Sequence, residues 1–286
     1  MEHATKYFFD APVQLVDARS ARLPVRRYGS GPALLLVHGF PLSGFTWRRL
    51  LPELAQRYTC YVPDLPGMGA SQWSPATDFS FPGQGLTLKA LADSLGLTRY
   101  SVLAQDTGGT FARYLALNDL ARVEKLALIN TEIPRHRPPW IPLYQWLMEL
   151  PGTLAAFRLL LRSPAFLRSG MGFGGCFCDM ALIEDDFHRH VIEPLLREPQ
   201  RLHGMRAYLR GAKWAPVDAL ELEHARLTLP VRLIWGVDDP TFPLPLARTM
   251  VAQFPDARLV EIAKAKLLAH EERPTQVARA VIEFLG

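Results

Sequence analysis

Cysteine is scarce in this sequence, which has only Cys60, Cys176 and Cys178 among its 286 residues. So small and odd a number argues against a disulfide framework and indicates a reducing compartment, which we take to be the cytoplasm. A single residue separates Cys176 from Cys178, which is too close for a two-pair zinc site, and no second cysteine pair exists. We therefore expect no metal and no other cofactor.

Long apolar runs and clusters of basic residues are also missing. No stretch of about 20 uncharged apolar residues could cross a membrane, and the first residues lack the apolar run of a signal peptide. Lys and Arg number 32 against 28 Asp and Glu, but they are scattered along the chain. This scatter argues against a nucleic-acid surface. We expect neither a membrane nor a nucleic-acid partner, and we predict that residues 1–11 form a tail.

Short apolar runs alternate with segments of helical spacing over most of the chain. Strands are predicted at 13–16, 23–27, 33–37, 59–62, 102–104, 125–129, 231–235 and 258–262. Helices are predicted at 45–54, 86–95, 107–118, 246–254 and 275–285. Strands joined by helical crossovers indicate an α/β fold with a mostly parallel sheet flanked by helices. The alternation stops at 133–226, so we predict a core domain of 1–132 and 227–286 with an inserted helical cap, or lid, of 133–226.

The most informative stretch joins a predicted strand to a predicted helix at Asp106. The residue two positions before it is Ala104, and the residue two positions after it is Gly108. Small residues at these places are typical of a nucleophile elbow, a sharp turn that holds one reactive side chain clear of the sheet. Because a helix N-terminus favours an anion, we expect an ionised, nucleophilic Asp106. An aspartate that merely caps the helix would fit the same stretch.

Four motifs follow one another in a set order along the chain. They are His38-Gly-Phe-Pro41, Asp64-Leu-Pro-Gly-Met-Gly-Ala-Ser71, Ala104-Gln-Asp-Thr-Gly-Gly109 and Trp235-Gly-Val-Asp-Asp239. With a helical insert between the third and the fourth, the sequence resembles the α/β-hydrolase superfamily, and within it the haloalkane dehalogenase and epoxide hydrolase branch. The resemblance covers essentially the whole chain. It implies an α/β-hydrolase fold and a monomer or homodimer acting on a small molecule.

The resemblance also implies a two-step reaction. The carboxylate of Asp106 would attack an electrophilic carbon and form an alkyl-enzyme ester, which water activated by a histidine would then hydrolyse. The backbone N–H groups of Phe40 and Thr107 would bind the oxyanion of the second step.

An acid that orients the histidine is also implied, and Asp239 best fits the place where the family has it. Its neighbour Asp238 is the first to be rejected. Glu132 and Asn130 are a fallback, since some dehalogenases place the acid after the preceding strand.

The histidine is displaced from its family position. In the family it precedes a Glu-Glu-x-Pro helix start, which is Glu271-Glu-Arg-Pro274 here, and Leu267 occupies the matching place. His270 follows three residues later and is the only histidine after Asp239. Either His270 reaches the site through a remodelled loop, or it begins a helix and the base is absent or supplied elsewhere.

The expected halide site of a dehalogenase is missing too. Thr107 follows the nucleophile where haloalkane dehalogenases have tryptophan, and Phe40 stands where they often have asparagine. His-Gly-Phe-Pro is similar to epoxide hydrolases instead, so an epoxide is the expected substrate.

Cap side chains would complete such a site. Epoxide hydrolases use cap tyrosines or a histidine to protonate the epoxide oxygen, and the candidates here are Tyr144, Tyr208 and His203. Trp140, Tyr144 and Tyr208 are the expected substrate-binding residues, although each could simply pack in the cap. A haloalkane dehalogenase, and a catalytically impaired ligand-binding homologue, remain the alternatives.

Overall fold

A computed structural model describes residues 2–286 and contains an eight-stranded sheet. Its strands are β1 (Val13–Ala18), β2 (Ala21–Tyr28), β3 (Ala33–Val37), β4 (Thr59–Pro63), β5 (Tyr100–Gln105), β6 (Val123–Ile129), β7 (Val231–Gly236) and β8 (Ala257–Ile262). Every strand predicted from the sequence lies within one of these.

The strand order is β1-β2-β4-β3-β5-β6-β7-β8. The pairs β1–β2 and β2–β4 are antiparallel, and all the pairs from β4 to β8 are parallel. The predicted α/β fold with a mostly parallel sheet is therefore confirmed. Because parallel strands end at the same edge, the loops after β3, β5, β6 and β7 meet there, as ligand-binding loops do in such sheets.

Burial explains why the central strands are continuous apolar runs. Leu34, Leu35, Leu36 and Val37 of β3 are fully buried, since helices cover both faces of the sheet at this point. The edge strand β1 instead ends in alternating exposed and buried residues, as expected of a strand with one solvated face.

The helices lie on both faces of the sheet and in the insert between β6 and β7. They are α1 (Glu2–Asp10), α2 (Leu51–Leu54), α3 (Phe81–Ser94), α4 (Thr107–Asn118), α5 (Trp140–Leu147), α6 (Thr153–Leu160), α7 (Pro164–Arg168), α8 (Glu193–Arg197), α9 (Pro199–Gly211), α10 (Trp214–Glu223), α11 (Leu244–Val251), α12 (Ala269–Glu272) and α13 (Pro274–Leu285). Among residues 2–286, none of these helices is long and apolar enough to span a bilayer.

The N-terminal tail predicted at 1–11 is wrong for residues 2–10, which form α1; residue 1 lies outside the described residues. Phe8 of this helix is buried, and its carbonyl oxygen accepts a hydrogen bond from the Tyr28 hydroxyl at 2.7 Å. The Phe8 ring also packs edge-on against Phe45, with the ring centroids 5.4 Å apart. Aromatic burial therefore orders a segment that composition alone leaves open.

Three predicted helices differ clearly in their bounds, and the one predicted at 246–254 is α11, which spans Leu244–Val251. The helix predicted at 45–54 divides into a 3-10 helix, Gly44–Arg49, followed by α2. The helix predicted at 86–95 begins earlier, at Phe81, because the Ser80 hydroxyl caps it by accepting a hydrogen bond from the Gly83 N–H.

The segment 133–226, called the cap segment below, holds α5 to α10 and no strand of the sheet. It packs very closely on the core at one point, since a Cβ added to Gly204 of α9 would lie 1.9 Å from the carbonyl oxygen of Gly67. Only glycine permits this approach. That the cap folds as a separate domain stays a prediction.

Candidate active site

Asp106 lies at the tip of the sharp turn between β5 and α4, with φ 53° and ψ −133°. This backbone conformation is costly for a residue with a Cβ atom, and such strain is concentrated at functional sites. The turn needs small neighbours, because a Cβ on Gly108 would lie 2.4 Å from the carbonyl oxygen of His38. The Asp106 side chain makes no N-cap hydrogen bond to α4. Its geometry is thus that of an elbow and differs from that of a simple cap.

The carboxylate of Asp106 is buried yet in contact with a backbone donor. The N–H of Phe40 donates to its Oδ2 at 3.0 Å. Gly39 gives the room for this contact, since a Cβ there would lie 2.6 Å from the same oxygen. The Thr131 hydroxyl donates to the Asp106 carbonyl oxygen at 2.8 Å, and this hydrogen bond helps to hold the turn.

Burial raises the pKa of Asp106 well above its usual value, and the charge of Glu132 raises it further. The backbone N–H groups of Phe40 and Thr107 lower this pKa, but they do not offset burial, and Asp239 raises it again. This upward shift of the pKa runs against the expectation that the helix N-terminus keeps Asp106 ionised. Attack by Asp106 requires its ionised form, which burial disfavours.

Asp239 lies in the loop after β7 with both carboxylate oxygens occupied. Its Oδ2 accepts from Asn130 Nδ2 at 2.7 Å, and its Oδ1 accepts from the Thr241 N–H at 2.8 Å. Burial raises the pKa of Asp239 to about 7. No imidazole bonds to it among the described residues, so the partner it was expected to orient is missing. The exposed Asp238 contacts the Cys178 thiol instead.

His270 lies in α12 and faces away from the elbow. Its Nε2 is 2.7 Å from Thr46 Oγ1, its ring packs on Trp47, and its Nδ1 has no hydrogen-bond partner. Burial, with Arg48 and Arg49 nearby, lowers the pKa of His270 to about 3. It bonds neither Asp106 nor Asp239. The second of the two expectations for His270, a residue at a helix start, describes this placement.

The loop that turns His270 away is held by its own contacts. The Lys266 N–H donates to Glu272 Oε2 at 2.7 Å, and the Leu268 N–H donates to the Cys176 carbonyl oxygen at 3.2 Å. Leu267, at the position where the family has its histidine, therefore lines the central cavity with an aliphatic side chain. No remodelled loop carries His270 to the site.

The cavity under the cap segment has a volume of about 520 Å³. Asp106 and Glu132 supply its carboxyl groups, and most of the remaining wall is aliphatic or aromatic. The expected substrate-binding residues Trp140, Tyr144 and Tyr208 all line it. His203 of α9 is exposed to solvent and does not line it. An uncharged, apolar molecule fits such a chamber.

The comparisons with known proteins agree with this geometry. A model of the alpha/beta hydrolase fold family matches residues 32–274. The chain belongs to this family. The predicted resemblance is thereby confirmed, and the relatives support a hydrolase.

Two curated relatives of this α/β hydrolase carry activity names. Haloalkane dehalogenase 2 of Mycobacterium tuberculosis is 29% identical over 94% of this chain and 93% of its own length. The soluble epoxide hydrolase of a Corynebacterium species is 36% identical over 102 residues, which are 36% of this chain and 35% of that one. Among solved structures, an α/β hydrolase fold protein of Burkholderia ambifaria is 25% identical, with a TM-score of 0.79 over 95% of this chain and 100% of that one.

Tyr208 differs from the other cavity tyrosine in its hydroxyl group. The Tyr144 hydroxyl donates to the Met171 carbonyl oxygen, whereas the Tyr208 hydroxyl is buried without a hydrogen-bond partner. The Thr107 hydroxyl is close to it, but that group too lacks a hydrogen bond of normal geometry. Burial, together with the charges of Glu132 and Asp106, raises the pKa of Tyr208, so its proton is retained and available to a ligand.

Residues of α4 below the elbow were not predicted as part of the site. Thr110 and Arg113 lie one turn apart and are fully buried, and they contact Glu132 through its carboxylate and its carbonyl oxygen respectively. The signal in the sequence was an arginine in an otherwise uncharged helix. Among residues 2–286, no three His, Cys, Asp or Glu side chains converge as they would around a metal ion.

Proposed function

We propose that this protein is an epoxide-opening hydrolase whose nucleophile is Asp106. The observation that carries the proposal is the pairing of two groups in one apolar cavity. Asp106 offers a carboxylate from a strained turn. Tyr208, whose ring stacks on that of Phe40 with the centroids 4.5 Å apart, offers a hydroxyl without a hydrogen-bond partner. An epoxide needs both an attacking carboxylate and a proton donor for its oxygen.

In the first step, an oxygen of Asp106 forms a bond to a ring carbon, and the carbon–oxygen bond of the ring breaks. The released oxygen takes the proton of Tyr208, leaving a phenolate and a hydroxyalkyl ester on Asp106. The apolar walls exclude water and favour attack by carboxylate over direct hydrolysis.

In the second step, water attacks the ester carbonyl. The negative oxygen formed there would be bound by the N–H groups of Phe40 and Thr107, of which Phe40 already contacts the carboxylate. His270 has no part in this scheme, because its ring is bonded to Thr46 outside the cavity. Asp239 has no imidazole to orient, so we assign it no catalytic step.

A haloalkane substrate is the second candidate, because a relative named haloalkane dehalogenase aligns with almost the whole chain. It would use the same first step, with halide leaving in place of the epoxide oxygen. Such a leaving group takes no proton, so it would not require an acid at Tyr208.

The test is a mass measurement of the intact protein combined with product analysis. The protein is mixed separately with styrene oxide and with bromohexane, and diol, bromide and protein mass are followed over time. Diol formation supports the proposal, and bromide release in preference to diol supports the dehalogenase. A stable adduct without product would identify an impaired enzyme. Neither adduct nor product would leave a binding protein.

We further propose a cytoplasmic location and a monomer or homodimer acting on a small molecule. The support is chemical: Cys60, Cys176 and Cys178 are all free thiols, as a reducing compartment permits.

A further inference from the structure

The second carboxyl group of the cavity, Glu132, is not used by the two steps above. It follows β6, is 2% exposed and lines the same chamber as Asp106. The Thr131 hydroxyl connects the two residues, because its Oγ1 lies 2.8 Å from the Asp106 carbonyl oxygen and 3.1 Å from Glu132 Oε2. Glu132 is therefore fixed one hydroxyl away from the elbow.

The two oxygens of Glu132 have different surroundings. Oε2 accepts a hydrogen bond from Thr110 Oγ1 at 2.6 Å and lies next to Thr131 Oγ1. Oε1 accepts no hydrogen bond from the described residues. One oxygen is thus an anchor, and the other is free to accept a proton.

Glu132 does not behave as an ordinary buried counter-ion. Arg113, the nearby cation, donates from Nη2 to the hydroxyls of Thr110 and Thr131 and to the carbonyl oxygen of Glu132, at 2.7, 3.1 and 2.9 Å. It makes no direct contact with the Glu132 carboxylate that meets the salt-bridge distance. Arg113 donates to the oxygens of the Thr110 and Thr131 hydroxyls, so the hydrogens of these hydroxyls point away from Arg113. The hydrogen of Thr110 therefore points towards Glu132 Oε2. This arrangement positions a carboxylate without neutralising it directly.

The other candidates for a base are occupied or misplaced. Both oxygens of Asp239 accept hydrogen bonds from Asn130 and Thr241, and Asp239 does not line the cavity. The Nε2 of His270 is bonded to Thr46, and His270 does not line the cavity either.

We infer that Glu132 is the general base that hydrolyses the ester on Asp106, in place of a histidine. This inference rests on the proposed function, since it requires that Asp106 be alkylated.

Hydrolysis adds one water molecule to the ester on Asp106. Water oxygen forms a bond to the Asp106 Cγ while one water proton moves to Glu132 Oε1, and the carbonyl electron pair moves to the oxygen held by the Phe40 and Thr107 N–H groups. When the carbonyl re-forms, the bond from Cγ to the alkyl oxygen breaks, and that oxygen takes the proton from Glu132. Asp106 is left as a carboxylic acid, and its proton returns to the Tyr208 phenolate. The sum is one water added to one epoxide.

The ionisable groups around Glu132 keep the same net charge when Asp106 is alkylated. The charged groups that face it are Asp106, Tyr208 and Arg113, beside the hydroxyls of Thr110 and Thr131. Burial raises the pKa of Glu132, and Arg113 lowers it. Alkylation neutralises Asp106 but leaves a phenolate on Tyr208, so one negative charge moves within the cavity and the net charge of the groups that face Glu132 does not change.

The experiment compares Glu132→Gln with wild type and with His270→Gln as a matched control for the other candidate base. Gln keeps an acceptor for Thr110 but cannot take a proton. After mixing with styrene oxide, we expect Glu132→Gln to accumulate one ester per molecule, with hydrolysis slowed by about 100-fold or more. Wild type and His270→Gln should release diol without accumulating ester. In wild type the hydrolysis rate should rise with pH to a plateau, and Glu132→Gln should lose this rise.

Thermal unfolding checks that Glu132→Gln is folded. If it is not, Glu132→Asp serves instead, since it keeps the charge but withdraws the carboxylate by one methylene and should accumulate ester partially. Turnover by Glu132→Gln at the wild-type rate would overturn the inference. Ester accumulation in His270→Gln alone, or in wild type, would also overturn it, although the alkylation of Asp106 would then stand. Absence of both ester and diol in every variant would overturn the proposed function and the inference with it.

Discussion

Two buried polar clusters of the protein differ in their access to the cavity. The elbow cluster contains Asp106, Glu132, Thr110, Thr131 and Arg113. The second cluster, around His270, contains Thr46, Arg48 and Glu271. In the elbow cluster, Glu132 keeps one oxygen without a hydrogen bond, and both carboxyl residues line the cavity.

The His270 cluster has the opposite character. Arg48 pairs with Glu271 at 2.6 Å, both side chains are almost fully buried, and Thr46 bridges Glu271 to His270. The Nδ1 of His270 and the Oε2 of Glu271 have no hydrogen-bond partner among the described residues, but none of these four residues lines the cavity. The comparison teaches that burial and titratable side chains are not enough to mark a site. Access to a cavity separates a reactive cluster from a structural one.

The largest effect is expected at the nucleophile. Asp106→Asn removes the attacking carboxylate with little change in shape, so ester formation and diol release should fall by about 10⁴-fold or more. Thermal stability should be kept or increased, because a buried carboxyl group with a raised pKa is lost. The control is Asp238→Asn, which changes an exposed carboxylate in the loop after β7. This variant should keep its activity. Full activity of Asp106→Asn would show that Asp106 is not the nucleophile.

A smaller effect is expected at Tyr208. Tyr208→Phe should slow the opening of styrene oxide by about 100-fold, because the epoxide oxygen loses its proton donor. Any reaction with bromohexane should be unaffected. The control is Tyr144→Phe, which removes the hydroxyl of the other cavity tyrosine, already bonded to a backbone carbonyl. Equal rates for the two variants with styrene oxide would argue against the acid role.

The smallest effect is expected at His270. Its pKa is lowered to about 3 in the folded state, so the unfolded state binds the extra proton between that value and the ordinary pKa of histidine, about 6.5. This residue's contribution to the free energy of unfolding is therefore full above about pH 6.5 and is lost as the pH falls.

The variant His270→Gln should not show this loss of unfolding free energy at low pH. Between pH 4 and 6, where Gln does not titrate, the slope of the unfolding free energy with pH should be lower than in wild type by at most about 1.4 kcal/mol per pH unit. Denaturant unfolding over this range measures it, and diol formation at pH 8 is the companion assay. A lower activity with an unchanged slope would return His270 to the catalytic scheme.

The sequence predicted the elbow region well because its geometry is local. The small residues at 104 and 108, the strand before Asp106 and the helix after it are all adjacent in the chain, and the eight strands follow from short apolar runs. The place of His270 could not be predicted in the same way. It depends on two contacts of the loop before α12. Lys266 is held by the nearby Glu272, and Leu268 is held by Cys176 of the cap segment, which is far away in sequence.

The role of Glu132 was also beyond local pattern. The sequence offered Glu132 as a substitute orienting acid. The contacts that hold it and leave one of its oxygens free come from Thr110 and Arg113 of α4. The N-terminal helix α1 shows the same limit, since its order comes from aromatic contacts with Tyr28 and Phe45.

The most direct test of the covalent role of Asp106 is a single turnover in water carrying the heavy oxygen isotope. Protein in excess over styrene oxide is allowed to react once, and the peptide containing Asp106 is then weighed by mass spectrometry. We predict that the heavy oxygen enters the Asp106 carboxyl group, while the diol carries an oxygen from the protein. Heavy oxygen in the diol alone, with none in Asp106, would contradict it.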